Sequence, residues 1–351
     1  MKLIKITIFC GLILAACSAR ADTMPRIVIL ATGGTIAGSA PTQTQAGYTS
    51  GQVGVETLIA AVPQIKELAD IRGEQIASVG SQDMSDAIWL KLATHVNKLL
   101  AQDDVDGVVI THGTDTIEET AYFLHLTLKS NKPVVMTAAM RPATALSADG
   151  PLNIYNAVAV AADPEAVGRG VMVVVNDDIH GARAVTKTST TDVQTFKSPE
   201  KGLIGTTLYG KATFYRKPYA EFGTTSPFSL EGVTSLPRVD VLYMHSDFSA
   251  DLVAASVNLG AKGIVSAGVG NGNTNAATLE ALTKAAASGV IVVRSTRVPF
   301  GTVGRNIEVN DDDAGTIASA ELNPAKSRVL LKLALLTTQD AEAIQELFNT
   351  Y

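Results

Sequence analysis

Short apolar runs rich in β-branched residues recur along the chain and are separated by amphipathic stretches. Each run has the length and composition of a strand that is buried on both faces. The runs occupy residues 27–31, 107–111, 133–138, 170–176, 239–244, 263–267 and 290–294. Because such strands alternate with helical patterns, the sequence predicts an α/β fold in which helices cover parallel sheets.

The amphipathic stretches predict the helices, which should span residues 86–100 and 275–288 and form two short helices within 325–350. One further helix is defined by an apolar stripe of Ile117, Ala121, Leu124 and Leu128. Asp115 followed by Glu118 resembles a capping box at its start. Residues 131–133, which include Asn131 and Pro133, should end it.

Between residues 216 and 237 the pattern gives way to aromatic residues, prolines, serines and threonines, which is typical of a connector. We therefore predict a signal peptide (1–21), a larger N-terminal parallel-sheet domain (22–215), a linker (216–237) and a smaller C-terminal α/β domain (238–351). The 351 residues are 46% hydrophobic and 18% charged, which is sufficient for two apolar cores and argues against disorder.

The first residues are typical of an export signal. Lys2 and Lys5 precede or flank an apolar run, residues 6–16, that is too short to span a bilayer. The small-x-small site at residues 19–21 predicts release as a soluble periplasmic protein. Residues 14–17 also fit a lipobox, so the alternative is a lipoprotein anchored to the membrane through Cys17.

Composition removes several classes of function. The formal net charge is −6, and loss of Lys2, Lys5 and Arg20 with the leader makes it more negative, which argues against nucleic-acid or anionic-membrane partners. Both cysteines, Cys10 and Cys17, lie in the leader, so the mature chain should contain no thiol nucleophile, disulfide or cysteine-based metal site.

Candidate chemistry follows two of the predicted strands. Residues 32–35 (Thr-Gly-Gly-Thr) let the backbone turn sharply and present the Thr35 hydroxyl near amide donors. Residues 111–116 bring Thr114 and Asp115 to a helix N-terminus, and Lys187 lies in a threonine-rich stretch. Taken alone, Thr35 could serve a turn, Thr114 and Asp115 could cap a helix, and Lys187 could be a solvated surface lysine.

Familiar catalytic and cofactor motifs are absent from the sequence. Residues 268–272 read G-x-G-x-G, but the spacing of a dinucleotide fingerprint is not met. No G-x-S-x-G, HExxH, CxxC or Walker A motif occurs, and the five histidines are scattered. No metal site and no Ser-His-Asp triad are therefore predicted. Hydrolysis by a threonine hydroxyl, activated through a tyrosine or a lysine, remains chemically open.

Taken together, these loops resemble the bacterial L-asparaginase family, in its exported type II branch. The resemblance covers nearly the whole mature chain. It is carried by residues 29–38, 80–84, 111–116, Lys187, 268–273 and 322–324. The resemblance implies hydrolysis of L-asparagine to L-aspartate and ammonia, with L-glutamine as a poorer substrate and no cofactor.

The resemblance also implies roles for individual residues. Thr35 is similar to the nucleophile that forms an acyl-enzyme, and Tyr48 to the tyrosine that helps to activate it. Tyr48 lies in a polar, glycine-rich segment, 38–54, whose composition fits a mobile lid. Thr114, Asp115 and Lys187 resemble a second catalytic cluster, in which Lys187 tunes the Thr114 hydroxyl and offsets the charge of Asp115.

Substrate binding and assembly follow from the same resemblance. Ser81, Gln82 and Asp115 match the residues that hold the α-carboxylate and α-amino groups. Asn273 and Glu308 resemble residues that reach the site from a neighbouring subunit, which would make the dimer the smallest catalytic unit. The resemblance to the family also implies a homotetramer built as a dimer of dimers.

Two alternative functions stay open. Gln82 is shared with members that prefer asparagine, so low glutaminase activity is expected, and the nearer alternative is a glutaminase-asparaginase with little preference. The second alternative is a periplasmic amino-acid receptor without turnover. Hydroxyls at Thr35 and Thr114 beside Lys187 favour an enzyme.

Overall fold

The computed structural model describes residues 24–44, 47, 49–217 and 222–351. The predicted leader, with Cys10 and Cys17, lies outside these residues, and so does Tyr48. The predicted boundary at residues 216–237 stays a prediction.

Strands and helices alternate over residues 26–175 and 239–334 as the apolar pattern predicted, whereas the strands between residues 178 and 214 follow one another without a helix. The strands, in chain order, are β1 (Arg26–Gly33), β2 (Asp70–Val79), β3 (Gly107–Thr111), β4 (Val134–Thr137), β5 (Val171–Val175), β6 (Asp178–Gly181), β7 (Thr186–Lys187), β8 (Phe196–Lys197), β9 (Gly205–Leu208), β10 (Lys211–Phe214), β11 (Val239–Tyr243), β12 (Gly263–Gly268), β13 (Ile291–Thr296) and β14 (Thr316–Ala318). The helices are α1 (Val55–Ala60), α2 (Asp86–Leu100), α3 (Ile117–Thr127), α4 (Gly150–Ala162), α5 (Asp251–Asn258), α6 (Ala276–Ala287), α7 (Asp311–Ala314), α8 (Pro324–Ala334) and α9 (Ala341–Thr350).

Two sheets confirm the predicted fold class. The larger sheet has eight strands in the order β10-β9-β6-β5-β4-β3-β1-β2, and the smaller has four in the order β11-β12-β13-β14. The smaller sheet is parallel throughout, and so is the larger one from β5 to β2. The larger sheet of the N-terminal part and the smaller α/β unit that follows it therefore match the prediction.

One edge of the larger sheet differs from the predicted parallel arrangement. Strands β6, β9 and β10 pair antiparallel, whereas a parallel sheet was predicted. For β6 the reason is a two-residue turn after β5, in which Asn176 and Asp177 both have positive φ, 49° and 67°. A second two-residue turn, with Tyr209 at φ 48° and Gly210 at φ 75°, joins β9 to β10. Such a turn reverses the chain without a crossover, so β6 returns beside β5 as a hairpin.

Helix α2 has the predicted bounds and starts at the side chain of Ser85, whose Oγ accepts from the Ile88 amide. The start and end predicted for α3 are wrong. Its N-cap is Thr116, without a side-chain cap, and Asp115 instead binds Lys187. The helix ends at Thr127 because Leu128 already has extended backbone angles. Over the described part of the chain, no helix is both long and apolar enough to cross a membrane.

A single apolar cluster joins the two sheets. Helix α3 lies on the larger sheet and packs against α8, which lies on the smaller one. The cluster extends from Leu30 and Phe123 on one side to Val265 and Leu330 on the other. The carboxyl ends of β1 and β3 therefore have a rigid support behind them.

The loops after β1 and β3 touch backbone to backbone. Gly34 has φ 81° and ψ −175°, a conformation that is essentially restricted to glycine. A Cβ atom on Gly34 would lie 2.3 Å from the Gly113 nitrogen, and one on Gly113 would lie 2.6 Å from Ser81 Oγ. Gly34 is thus required for two reasons: its backbone conformation is restricted to glycine, and a side chain would collide with Gly113.

We predict that Gly34→Ala destabilises the fold by about 2 to 4 kcal/mol, because the new methyl group must displace backbone in addition to straining φ. Gly260→Ala is the matched control, since Gly260 has φ 87° and no neighbour within 4 Å of its Cβ position. Strain alone should cost that variant about 1 to 2 kcal/mol. Urea unfolding of both variants measures the difference, and equal losses would contradict the contact argument.

Candidate active site

Three loops meet at the carboxyl edge of the larger sheet, where ligands bind in open parallel sheets. They follow β1, β2 and β3, which are adjacent in the order β3-β1-β2. The Ser81 hydroxyl oxygen accepts from the Asp115 amide at 3.1 Å, and the Thr116 hydroxyl donates to the Ser81 carbonyl at 2.7 Å. These bonds connect the loop after β2 to the loop after β3.

Thr35 lies at the start of a short 3₁₀ helix, Thr35–Ala37, immediately beyond the Gly34 contact. Its side chain is buried, with 6% of the residue exposed. The Gly38 amide donates to the Thr35 carbonyl at 2.7 Å and closes the turn. Because Gly34 touches Gly113, the structure places Thr35 next to the loop that carries Thr114.

The predicted second cluster is assembled by direct contacts. The Lys187 ammonium donates to the Thr114 hydroxyl oxygen at 2.9 Å and to Asp115 Oδ1 at 2.6 Å. Lys187 comes from the two-stranded β7-β8 ribbon outside the main sheet, so a separate element supplies the charge. The Asp115 side chain remains 57% exposed and can still receive a ligand.

The other predicted binding residues occupy different environments. Ser81 is buried between Asp115 and Gly113, whereas Gln82 is exposed. The Gln82 amide folds back over Gly80, where a Cβ atom would lie 2.4 Å from Gln82 Nε2.

The segment that was predicted to form a lid is tied at its ends. Ser39 and Thr49 exchange two backbone hydrogen bonds at 3.1 and 3.0 Å. The Gly51 amide donates to the Gly34 carbonyl at 3.2 Å, so the segment returns to the loop that precedes Thr35. Its role as a lid stays a prediction.

A buried histidine, for which the sequence suggested no role, supports the loop after β3. His112 accepts at Nε2 from the Thr120 hydroxyl, which itself accepts from the Trp89 indole at 2.8 Å. Its Nδ1 then donates to the Gly113 carbonyl at 2.8 Å. Desolvation lowers the pKa of His112 to about 4, so the ring is neutral and the direction of these bonds is fixed.

That bond also orients the next peptide group. In a trans peptide the carbonyl and the following N–H point in opposite directions. Because the Gly113 carbonyl faces the buried imidazole, the Thr114 N–H points away from it. The only sequence signal for this role was the position of His112 inside the 111–116 motif.

Asn273 and Glu308 form a pair of their own. Asn273 Nδ2 donates to Glu308 Oε2, and within the described ranges no hydrogen bond or ion pair connects them to Thr114, Asp115 or Lys187. Glu308 is exposed and Asn273 is partly exposed. In the described part of one chain, these two predicted site residues are therefore bonded to each other and not to the Lys187-Thr114-Asp115 cluster.

A buried arginine fixes the loops that carry this pair. Arg294 binds both oxygens of Asp311 at 2.6 and 2.7 Å and donates to the carbonyls of Asn271 and Gly304 at 3.1 Å each. Residues 268–272 fold so tightly that a Cβ atom on Gly268 would lie 2.4 Å from the Gly272 carbonyl carbon. The glycines at positions 268, 270 and 272 are therefore explained by the tight fold of this loop.

The groups present suit acyl transfer. Two buried threonines, Thr35 and Thr114, and the Lys187 ammonium lie on segments that meet at one sheet edge. A hydroxyl nucleophile, a charged group that activates it and nearby backbone amides are what acyl transfer requires. No group of three or more His, Asp or Glu side chains in residues 24–44, 47, 49–217 and 222–351 is arranged to hold a metal ion.

Two family models match the chain. The model described as "Asparaginase, N-terminal" matches residues 26–220, and the model described as "Glutaminase/Asparaginase C-terminal domain" matches residues 238–348.

Named relatives are similar over the full length. The Haemophilus influenzae protein "Probable L-asparaginase periplasmic" is 52% identical and the Escherichia coli protein "L-asparaginase 2" is 50% identical, each over 351 residues and 100% of both chains. The "Glutaminase-asparaginase" of Pseudomonas fluorescens biotype A is 43% identical over 330 residues, which are 93% of this chain and 91% of that protein.

A solved structure has the same fold. The crystal structure of "Probable Cytoplasmic L-asparaginase" from Campylobacter jejuni has a TM-score of 0.91 and 49% identity, and the match covers 93% of this chain and 100% of that one. With both family models matched in order and half of all residues shared with full-length relatives, this chain belongs to the asparaginase family.

Proposed function

We propose that the protein hydrolyses the side-chain amide of L-asparagine to L-aspartate and ammonia. The observation that carries this proposal is the joining of the Thr35 loop, the Ser81 loop and the Lys187-Thr114-Asp115 cluster at one sheet edge. The names of the relatives that share the full chain support the same substrate.

In the proposed reaction the Thr35 oxygen attacks the carboxamide carbon, with Tyr48 helping to take up the hydroxyl proton. The tetrahedral intermediate expels ammonia after protonation and leaves an ester on Thr35. Water, positioned by Thr114, then attacks the ester and releases aspartate. Backbone amides at the two threonine loops stabilise the negative oxygen in both steps.

The ammonium group of Lys187 has two tasks in this scheme. It donates to the Thr114 oxygen, which leaves the Thr114 hydroxyl proton to point elsewhere, and it balances the Asp115 carboxylate. The exposed part of Asp115 receives the α-ammonium of the substrate, while Ser81 and Gln82 receive the α-carboxylate. A carboxylate that receives the α-ammonium and neutral donors that receive the α-carboxylate together orient a free amino acid.

Asn273 and Glu308 complete the site from a neighbouring copy in this proposal. The exposure of Glu308, the partial exposure of Asn273 and the support of both loops by Arg294 suit a contact with another subunit. A dimer is then the smallest catalytic unit, and we propose a homotetramer formed from two such dimers.

The nearest alternative is a glutaminase-asparaginase with little preference, because one relative carries that name. We expect low glutaminase activity, since Gln82 is the residue of asparagine-preferring members. One methylene in a pocket changes specificity by about 10 to 200-fold. A periplasmic receptor without turnover is less favoured, because binding alone does not require a lysine on a buried hydroxyl.

The first test is ammonia release from L-asparagine and L-glutamine by the purified protein. We predict turnover of both, with the larger kcat/KM for asparagine. Thr35→Ala should lower kcat by about 10³-fold or more and still bind aspartate, because only the nucleophile is lost. Thr35→Ser keeps a hydroxyl and should retain far more activity. Near-normal turnover by Thr35→Ala would refute the nucleophile assignment, and equal kcat/KM values would refute the preference.

Complementation tests the shared site. Thr35→Ala and Glu308→Ala should each have little activity alone. In a mixed dimer one site combines the intact Thr35 of one chain with the intact Glu308 of the other. Co-refolded equal mixtures should therefore recover about a quarter of wild-type activity, because half of the dimers are mixed and each has one good site. If both residues act within one chain, no activity returns.

We also propose export to the periplasm, with the leader removed after residue 21. The leader pattern supports this, and so does the word "periplasmic" in the name of the Haemophilus influenzae relative, although the Campylobacter jejuni relative is named "cytoplasmic". We predict that the intact mass of the native product corresponds to an unmodified chain starting at Asp22. A mass showing a chain that starts at acylated Cys17 would establish the lipoprotein alternative instead.

A further inference from the structure

A buried lysine of the smaller α/β unit contacts both chain segments that form the Lys187-Thr114-Asp115 cluster, at residues just beside the cluster. Lys326 lies in the first turn of α8, and 3% of it is exposed. Its ammonium group donates to the Val185 carbonyl and lies 3.5 Å from Glu118 Oε2. Asn323 Nδ2 donates to the same Glu118 oxygen at 3.1 Å.

The two partners of Lys326 flank the cluster along the chain. Val185 precedes Lys187 by two residues, and Glu118 follows Asp115 by three. Glu118 is in the first turn of α3, directly after the loop that carries Thr114. One ammonium group therefore holds the segment of Lys187 on one side and the segment of Thr114 and Asp115 on the other.

Burying the Lys326 ammonium costs free energy that its partners must offset. A buried ammonium is costly unless it is paired and hydrogen-bonded. Desolvation lowers the pKa of Lys326, and the nearby Glu118 carboxylate opposes that shift. Because the charge is tolerated only with both partners in place, their positions are tightly specified.

We propose that Lys326 is a positioning residue that sets the Lys187 ammonium relative to Thr114 and Asp115. It touches neither substrate nor the reacting atoms and acts through the backbone of Val185 and the carboxylate of Glu118. The proposal rests on the proposed function of the cluster. Small displacements in such clusters are expensive, since about 1 Å can cost about 100-fold in rate.

The same helix provides a matched control. Lys332 is also 3% exposed, and its ammonium binds Asp86 Oδ2 at 2.7 Å and the Pro237 carbonyl at 3.1 Å. Asp86 is in the first turn of α2, just as Glu118 is in the first turn of α3. Lys332 thus forms a comparable buried pair but does not contact the segment that carries Lys187.

The experiment compares Lys326→Met with Lys332→Met in the full-length mature protein. Both should unfold at a lower temperature, because each leaves a carboxylate without its cation. Only Lys326→Met should lower kcat for L-asparagine, by about 10 to 100-fold, with KM within about threefold of wild type. Its pH profile of kcat should shift in the direction seen for Lys187→Met. Lys326→Arg, which keeps the cation, should recover part of the loss.

Hydrogen exchange supplies a readout that does not depend on activity. Exchange in a peptide covering residues 183–195 should be faster in Lys326→Met and unchanged in Lys332→Met. If wild-type protein releases no ammonia, the proposed function fails, and exchange alone still decides whether Lys326 orders this segment. If Lys187→Met is impaired while Lys326→Met keeps normal kcat and exchange, the function stands and the positioning role is wrong.

Equal kcat losses in Lys326→Met and Lys332→Met would also overturn the proposal, because they would indicate a general loss of packing. If Lys326→Met does not fold, Glu118→Gln provides the decision. That variant keeps the shape of the side chain and its acceptor for Asn323 but removes the charge facing Lys326. A loss of kcat smaller than the one expected for Lys326→Met, with the pH profile shifted as in Lys187→Met, supports the proposal. A wild-type kcat in Glu118→Gln refutes it.

Discussion

The site depends on a contact between bare backbones, in which Gly34 lies directly against Gly113. No side chain fits between these loops, since even a methyl group on Gly34 would lie 2.3 Å from the Gly113 nitrogen. This closeness brings the loops after β1 and β3 together, and Ser81 packs against Gly113 from the third loop. Flexible side chains could not hold two hydroxyl-bearing loops as firmly, because backbone contacts have no rotamers to relax into.

Support for this edge comes from buried polar groups in the region behind it. Neutral His112, the first residue after β3, fixes the Gly113 carbonyl, and Lys326 reaches Val185 and Glu118 from the smaller unit. Arg294 does the same for the loops of Asn273 and Glu308. Buried charges contribute little net stability when compared with apolar residues of equal size, but they penalise every arrangement that leaves them unpaired. They therefore specify geometry where chemistry needs it.

The sequence predicted correctly the features that depend on residues close together in the chain. Apolar runs located β1, β3, β4, β5, β12 and β13 because these strands are buried on both faces. The bounds of α2 followed from its amphipathic period. No apolar run indicated β2, a parallel strand whose residues are mostly exposed or half-buried. The antiparallel edge was missed because it depends on positive φ at Asn176 and Asp177, which apolar periodicity does not report. The capping box at Asp115 failed because a lysine 72 residues away competes for the carboxylate. Long-range pairing of this kind, including that of Lys326, leaves no local pattern.

The loops that carry Asn273 and Glu308 are held in place within one chain, whereas the role proposed for these two residues requires a second chain. Both loops are fixed by Arg294, whose partner Asp311 experiences two opposing effects: desolvation raises its pKa, and the hydrogen bonds from Arg294, Thr316 and Asn306 outweigh this and lower it. A buried ion pair thus rigidifies loops whose outer side chains remain exposed. Such rigidity has no evident use for an isolated surface amide and carboxylate. It is useful if a second copy of the chain must meet them at a defined distance, as the proposed shared site requires, because a preordered surface loses less entropy on association.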